Sequence, residues 1–274
     1  MDDNCYVLLI DILGFTKLVE TKSSHEILNI IKKFLSYFEA IDGKDNLSTL
    51  NFSDSAILWQ KNPTKKDFLR FSTISVLMCS NLLANKIPCR GAIAYGPFTV
   101  NPDDNDKHNV FFGKALIEAY KAQASENWIG ITVCPSAVNH IDPDIIDKCS
   151  GGHFLKRSDG TLLLNPFLSI QRFYKEFDKP GLGWVKGSPY ELYLLLELLA
   201  FKFINDEASK FTDNCDFSSR EACKYHNAIA FLQKVLPGDC FKKAKEKSNY
   251  VEMKYGEPRI INTKSGSRLY HLIL

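Results

Sequence analysis

The patterned part of the chain begins with an unbroken apolar run, Tyr6-Val7-Leu8-Leu9-Ile10, that ends on Asp11. A short run that is apolar on both faces predicts a buried strand over residues 5 to 11. From Ser24 and His25 the period changes. Ile27, Leu28, Ile30, Ile31, Phe34, Leu35 and Phe38 recur at helical spacing and predict one broad apolar face packed on a sheet, stopped at Asp42-Gly43. Leu47 to Phe52 and Ala56 to Trp59 predict two strands of a hairpin whose bend carries Asp54. That bend lies near Asp11 if the first strand runs between neighbours. After the break at Asn62-Pro63, residues 66 to 84 predict a second helix, with Phe68, Phe71, Ile74, Val76, Leu77 and Leu82 as its apolar set. Arg90 to Tyr95 is a strand interrupted by Gly96-Pro97, and Asn101 to Asn109 is an exposed loop. Gly113 to Ser125 is a third helix, carrying Ala115, Leu116, Ala119 and Ala122, and Ile129 to Cys134 a further strand. This order predicts an α/β (α+β) sandwich of the ferredoxin-like kind, with helices on one face of a mainly antiparallel sheet.

Beyond about residue 165 the pattern becomes helical. Ser188-Pro189-Tyr190-Glu191 is a capping box with proline at the first helical position, and Leu192, Leu195, Leu196, Leu199 and Phe203 continue it. Ser218-Ser219-Arg220-Glu221 is a second box, followed by Tyr225, Ile229, Leu232 and Leu236. Residues 259 to 274 suggest a short hairpin around Lys264-Ser265-Gly266. The expected division is a unit over 1–165 and a mainly helical extension over 166–274. The apolar faces of the extension suit packing on the first unit; a dimer contact or a regulatory docking surface is the alternative.

Composition adds few constraints. In 274 residues, 45% are hydrophobic and 24% charged, as in an ordinary soluble globular protein. A formal net charge of +2 offers no argument for a nucleic-acid or membrane partner. None of the eight cysteines forms a C-x-x-C pair, and no Cys/His cluster has zinc-like spacing. Cys79, Cys89 and Cys134 sit among apolar neighbours, as small buried hydrophobes do. There is no signal-peptide pattern and no stretch long enough to span a bilayer, so the expectation is a cytoplasmic protein with reduced thiols.

The candidate chemistry lies in Asp11-Ile12-Leu13-Gly14-Phe15-Thr16. A carboxylate at a strand end, a glycine and a helix start suit a cation-bound polyphosphate. The carboxylate holds the cation, Gly14 allows close backbone approach, and the helix amides face the anion. Asn51-Phe52-Ser53-Asp54-Ser55 supplies a second carboxylate after a strand, as a two-metal phosphoryl-transfer site requires. Either aspartate alone is equally an N-cap or turn residue.

Taken in order, Asp11-Ile12-x-Gly14-Phe15-Thr16, Phe52-Ser53-Asp54-Ser55, Arg90-Gly91-Ala92-Ile93-Ala94-Tyr95-Gly96 and Phe112-Gly113-Lys114-Ala115-Leu116-Ile117-Glu118-Ala119-Tyr120 resemble the class III nucleotidyl cyclase catalytic domain. The Arg-Gly-Ala-Ile-Ala wording looks most like the pyrimidine cyclases of bacterial antiphage (Pycsar) systems. The resemblance covers roughly residues 4 to 165. It implies the cyclase fold, with a site between the two catalytic domains of a homodimer. One chain offers the metal carboxylates, and the other the helix after Gly113, with Leu116, Ala119 and Tyr120 small and apolar enough to approach a partner and Lys121 turned toward its phosphates. It also implies two divalent cations, Mg or Mn, per site, held by Asp11, Asp54 and the Ile12 carbonyl. Gly14, Phe15 and Thr16 would face the phosphates and Arg90 would bind the triphosphate; without the resemblance, Arg90 is an ordinary strand-edge arginine. Lys156 vaguely matches a phosphate-binding lysine on a late strand.

Three positions depart from the purine cyclases. Their helix after the fourth strand carries Asn and, four residues later, Arg; Ile117 and Lys121 stand there. Ile donates no hydrogen bond, and Lys is a point charge rather than a planar fork. The purine-reading Lys is replaced by Leu50, which also lacks the aromatic ring that reads the base in some pyrimidine cyclases. The expectation is a cyclase making cyclic UMP or cyclic CMP from UTP or CTP, releasing pyrophosphate and signalling to a separate effector protein in antiphage defence. The alternative is a cyclase-fold nucleotide- or partner-binding module without turnover.

Overall fold

A computed structural model describes residues 3–43, 46–101, 110–149, 152–182, 186, 191–212, 220–236 and 238–255. The apolar run becomes β1 (Asp3–Ile12), flanked on both sides, as a strand apolar on both faces must be. Two helices follow, α1 (Phe15–Thr21) and α2 (Ser24–Glu39). α2 is opened by a capping box in which Ser23 accepts from the Glu26 amide and Glu26 reaches back to Ser23. Its predicted face is only partly used: Phe34 and Phe38 are buried, whereas Leu28 is 48% exposed. β2 (Leu47–Phe52), β3 (Ser55–Lys61) and α3 (Asp67–Ala84) complete the first half.

β4 (Cys89–Asn101) runs straight through Gly96-Pro97, where an interruption was expected. Pro97 stands opposite Asn4 near the start of β1, and past Phe98 the strand changes partner to β5 (Val110–Phe112). A proline is tolerated where the ladder is ending. Next come α4 (Lys114–Ser125), β6 (Gly130–Val133), α5 (Pro135–His140), α6 (Pro143–Cys149), β7 (Phe154–Lys156), β8 (Leu162–Leu164) and α7 (Leu168–Phe173), which ends in a 3-10 turn. The extension contributes α8 (Glu191–Thr212), α9 (Arg220–Val235) and α10 (Asp239–Tyr255). α10 has no counterpart in the sequence reading. The Ser188 box lies partly, and the 259–274 hairpin wholly, outside the described residues, as do Ser218 and Ser219 of the second box.

The sheet order is β2-β3-β1-β4-β6-β8-β7, with β5 on β4. Every pairing is antiparallel except β4 with β6. The result is the expected mixed α+β fold on a mainly antiparallel sheet. Helices, however, occupy both faces, not one. Tyr6, Leu8 and Ile10 of β1 meet Phe34, Phe38, Phe68 and Phe71 on one side; Cys5, Val7 and Leu9 meet Ala115 and Ala119 of α4 on the other. α3 is buried along almost its whole length because the sheet lies on one side and α8 on the other, which explains why its buried positions run all round the helix. The larger core is continuous from Phe68 and Phe71 to Leu194, Leu198 and Phe201, so the extension shares it.

α8 also buries an ionisable group. Glu197 is 5% exposed and accepts from the Ile170 amide at 2.8 Å and from Ser169, capping the start of α7 from a neighbouring helix. Burial outweighs these bonds and pushes its carboxyl up to about 8. A carboxyl raised on folding is protonated in the native state while its unfolded counterpart is ionised, so stability is lost as pH rises toward 8. Across pH 6.5 to 8.5 the wild-type melting temperature should fall more than that of Glu197→Gln. Parallel curves for the two proteins in a buffer series would contradict this.

Candidate functional site

The central position of β1 and its register build the site. Asp11 lies opposite Ser55 on β3 and opposite Arg90 on β4. A two-residue turn, Ser53-Asp54, joins β2 to β3, with Ser53 at a φ of 55°. The Ile12 amide donates to the Asp54 carbonyl at 2.9 Å, tying this turn to the end of β1. Asp11 and Asp54 are thereby brought close enough that the second charge raises the proton affinity of the first. Gly14 follows at φ 73°, in the left-handed region, with open space where a Cβ would project. Glycine is needed there for its backbone conformation and not for room. Phe15 is half-buried and Thr16 exposed at the start of α1.

Arg90 does not stand free. Its Nε and Nη2 donate to the two oxygens of Asp11 at 3.2 and 3.3 Å, and its Nη1 to the Glu126 carbonyl at 3.4 Å. The side chains of Arg90 and Asp11 are only 16% and 18% exposed. Burial pushes the Asp11 carboxyl up, and the hydrogen bond and charge of Arg90, then a hydrogen bond from Gln123, pull it back down. Gln123 was missed by the sequence reading. It is 4% exposed on α4, one helical turn beyond Ala119, and a polar residue continuing a stripe of buried alanines was the available signal.

Among the described residues no cluster of three or more acidic, His or Cys side chains could hold a metal ion by itself. Two neighbouring carboxylates and a backbone carbonyl are nonetheless a hard-oxygen donor set. They suit a small divalent cation that takes its remaining ligands from substrate phosphates and water.

The other predicted residues lie away from Asp11 and Asp54. Leu50 is half-buried against the α4-side core, so it offers no polar contact to a base. Two residues on, and therefore on the same strand face, Phe52 is 40% exposed and stacks on Phe111 at 5.7 Å. α4 approaches the sheet through Ala115, Ala119 and Gln123, which corrects the expectation that Ala119 faces a partner. The outward residues are Ile117 and Tyr120, 55% and 61% exposed, and Phe112 just before the helix is 55% exposed. Gly113 opens α4 where a Cβ would meet the Pro97 carbonyl at 2.3 Å, so only glycine lets the helix start this close to β4.

Lys121 lines a cavity of about 470 Å³ with Lys114, Ile117, Arg157, Asp159 and Thr161, among others. Asp11, Asp54 and Arg90 do not line it. One chain therefore carries the carboxylates in one place and the cavity containing Lys121 in another. Glu126, at the end of α4, links the two. Its carbonyl accepts from Arg90, and its carboxylate takes two parallel bonds from Arg157, Nη2 to Oε2 at 2.9 Å. Lys156 ends β7 and lines an adjoining cleft that shares Glu126, Arg157 and Asp159 with this cavity.

No protein-family model matches the chain, and no curated protein does. Several solved structures are similar to part of the chain. The adenylyl cyclase CyaB from P. aeruginosa is 13% identical over 60% of this chain and 95% of its own, with a TM-score of 0.48. The monomeric guanylyl cyclase domain of the RhoGC fusion protein from the fungus Blastocladiella emersonii is 14% identical, with the same coverages and TM-score. A bacterial light-regulated adenylyl cyclase is 14% identical over 64% of this chain and 98% of its own, at 0.44. At these values the likeness carries no weight on activity.

Glu126 is 8% exposed, so deleting its partner leaves a nearly buried carboxylate with unmade bonds. Arg157→Ala should lower the unfolding free energy by about 1–3 kcal/mol. Urea titration checks this, and an unchanged midpoint would show that the pair contributes nothing to stability.

Proposed function

We propose that the chain is a metal-dependent nucleotidyl cyclase acting on a pyrimidine nucleoside triphosphate, UTP or CTP. The observation that carries this reading is the tie between the Ile12 amide and the Asp54 carbonyl, which sets Asp11 and Asp54 side by side at the end of the central strand. In the reaction the ribose 3′-oxygen loses its proton and forms a bond to the α-phosphorus. The bond from that phosphorus to the bridging oxygen breaks, and pyrophosphate leaves. Asp11, Asp54 and the Ile12 carbonyl would hold two divalent cations, Mg or Mn. Bound there, such cations lower the pKa of the 3′-hydroxyl and neutralise the leaving phosphates. Arg90 would bind phosphate oxygens in two-pronged fashion once its fork leaves Asp11. The first amides of α1, at Phe15 and Thr16, add donors beside Gly14. Phe52 offers a flat apolar ring near Asp54 for a base to stack on.

The working unit in this proposal is a homodimer. Ile117 and Tyr120, with Phe112, form an exposed apolar surface on the α4 side, and Lys121 sits among them at the mouth of its own cavity. A second chain facing this surface would bring its Lys121 to the Asp11–Asp54 end and close the site from water, where phosphate electrostatics weaken. Residues 1–165 would be the catalytic unit, in the cytoplasm. The cyclic product would act on a separate effector in antiphage defence, as the resemblance to the Pycsar cyclases implies. No helix among the described residues is long and apolar enough to cross a membrane. One observation favours the alternative, a nucleotide- or partner-binding module without turnover: the exposed side chain at 117 is an isoleucine, which cannot donate to a transition state.

Asp11→Asn and Asp54→Asn should each abolish cyclisation with circular dichroism unchanged, because either loss removes several kcal/mol of charge stabilisation, on the order of that expected for a metal ligand. Near-wild-type turnover in either folded variant would overturn the site. In competition among the four ribonucleoside triphosphates with manganese, UTP or CTP should be consumed first; preference for ATP or GTP would refute the substrate class.

Asp11→Asn and Lys121→Ala, each weak or inactive alone, should partly restore activity when mixed, since one hybrid site is then intact. Full activity from a monomer in light scattering would refute the shared site. A dimer that shows no recovery would refute the role of Lys121 across the interface.

A further inference from the structure

Arg90 neighbours both ends of one short span, residues 126 to 130. At the first end its Nη1 donates to the Glu126 carbonyl at 3.4 Å. At the other, Gly130 stands opposite it in the parallel β4–β6 register. The middle of the span is held by α9 of the extension. The Asn127 carbonyl accepts from the Asn227 side-chain amide at 2.6 Å, and the Trp128 ring meets the Phe231 ring at 5.0 Å. Both rings are nearly buried, 3% and 5% exposed.

The Trp128 ring leaves the span little slack. It lies against Gly130, where an added Cβ would meet ring carbons at 2.4 and 2.6 Å, and its Nε1 donates to the Thr132 hydroxyl at 3.2 Å. With Phe231 as its other neighbour, the ring is packed between α9 and the strand beside Arg90. α9 is itself a fixed support. Ala228 and Leu232 are buried in the larger core, and Tyr225 packs against Phe203 and Phe211 of α8.

The guanidinium of Arg90 is held on two sides. Nε and Nη2 face Asp11, and Nη1 faces the Glu126 carbonyl. The last bond is near the long limit of hydrogen bonding, so displacing the span by roughly a few tenths of an ångström breaks it. The fork is then free to pivot on Asp11.

We propose that α9 positions Arg90: Asn227 and Phe231 are positioning residues that fix the 126–130 span and, through its Glu126 carbonyl, the plane of the Arg90 guanidinium. This gives the helical extension a task beyond covering α3. The mechanical coupling needs no cyclase activity. Its consequence for nucleotide binding rests on the function proposed above, in which Arg90 grips the triphosphate.

The test uses the full chain without nucleotide or divalent cations. Solvent exchange of the Arg90 Nε–H, assigned through its own side-chain and backbone resonances, is followed by NMR. Asn227→Asp keeps the shape of the side chain but removes the donor. It should speed that exchange about fivefold, as loss of one hydrogen bond would. Phe231→Leu, which thins the contact with Trp128, should act in the same direction. Phe241→Leu controls for general loosening of the extension, since Phe241 of α10 meets Phe201 of α8 instead, at 5.1 Å; it should leave the Arg90 signal unchanged. Unchanged exchange in both folded Asn227→Asp and Phe231→Leu would overturn the proposal, and so would an equal rise in Phe241→Leu. In the cyclase reaction, Asn227→Asp should also raise KM for the nucleoside triphosphate about fivefold with kcat little changed, and an Arg90→Lys background should abolish that difference. A wild-type chain that turns over no nucleotide would remove the cyclase reading and leave the exchange result standing.

Discussion

The contact on which the site depends is the fork of Arg90 on Asp11 across the β1–β4 ladder. Two opposite charges, each less than one-fifth exposed, sit directly opposite one another in an antiparallel register. Burial works against the ionised carboxylate, and the guanidinium and Gln123 offset it only in part, so the Asp11 carboxyl stays above its ordinary range. A buried pair of this kind adds modest net stability, but removing either member alone is costly because the other charge is left without compensation. The register that creates the pair is enforced elsewhere. β1 is apolar on both faces, and each face meets a different core, so a slip by one residue would turn Asp11 into the aromatic cluster of Phe34, Phe38, Phe68 and Phe71.

α4 performs two tasks because its faces differ. Its inward alanines bring the helix axis close to the sheet, and Gly113 allows that approach to begin directly beside Pro97. Its outward residues, Ile117, Tyr120 and Lys121, remain at the surface. The end of the helix then touches both charged assemblies through one residue. The Glu126 carbonyl holds Arg90 and its carboxylate holds Arg157, so a movement of the β7–β8 hairpin and a movement of Arg90 meet at a single position.

The extension is part of the same solid body as the sheet. α3 could not be buried all round without α8 to cover it, and α8 anchors α7 through Glu197, a carboxyl that burial keeps protonated at neutral pH. The lone pairs of a protonated carboxyl still accept from the Ile170 amide, so the cap survives without a buried charge. Covering α3 also positions α9 against Trp128, and the cleft between α9 and the hairpin follows from that packing.

Much of this was legible in the chain because it is local. The apolar run before Asp11, the turn at Asp54, the helix periods of α2, α3 and α4 and the glycines at 14 and 113 each report on a few neighbouring residues, and each element appears within a few positions of its expected ends. What required three dimensions was everything set by pairing and by the second face of the sheet. Pro97 looked like an interruption because a proline lacks a donor, yet it stands opposite Asn4 near the start of β1, and the Asn4 carbonyl already accepts from the Asn62 amide. Ala119 looked free to meet a partner because alanine is small, yet small residues are those that let a helix sit on a sheet. Arg90 opposite Asp11 depends on the β1–β4 register, and Gln123 at Asp11 depends on how α4 crosses that ladder. Neither relation has a periodicity along the chain. The sequence alone singled out which residues are candidates for the chemistry; the tertiary structure decided which of them touch, because contact between distant positions is a property of register and packing and not of spacing.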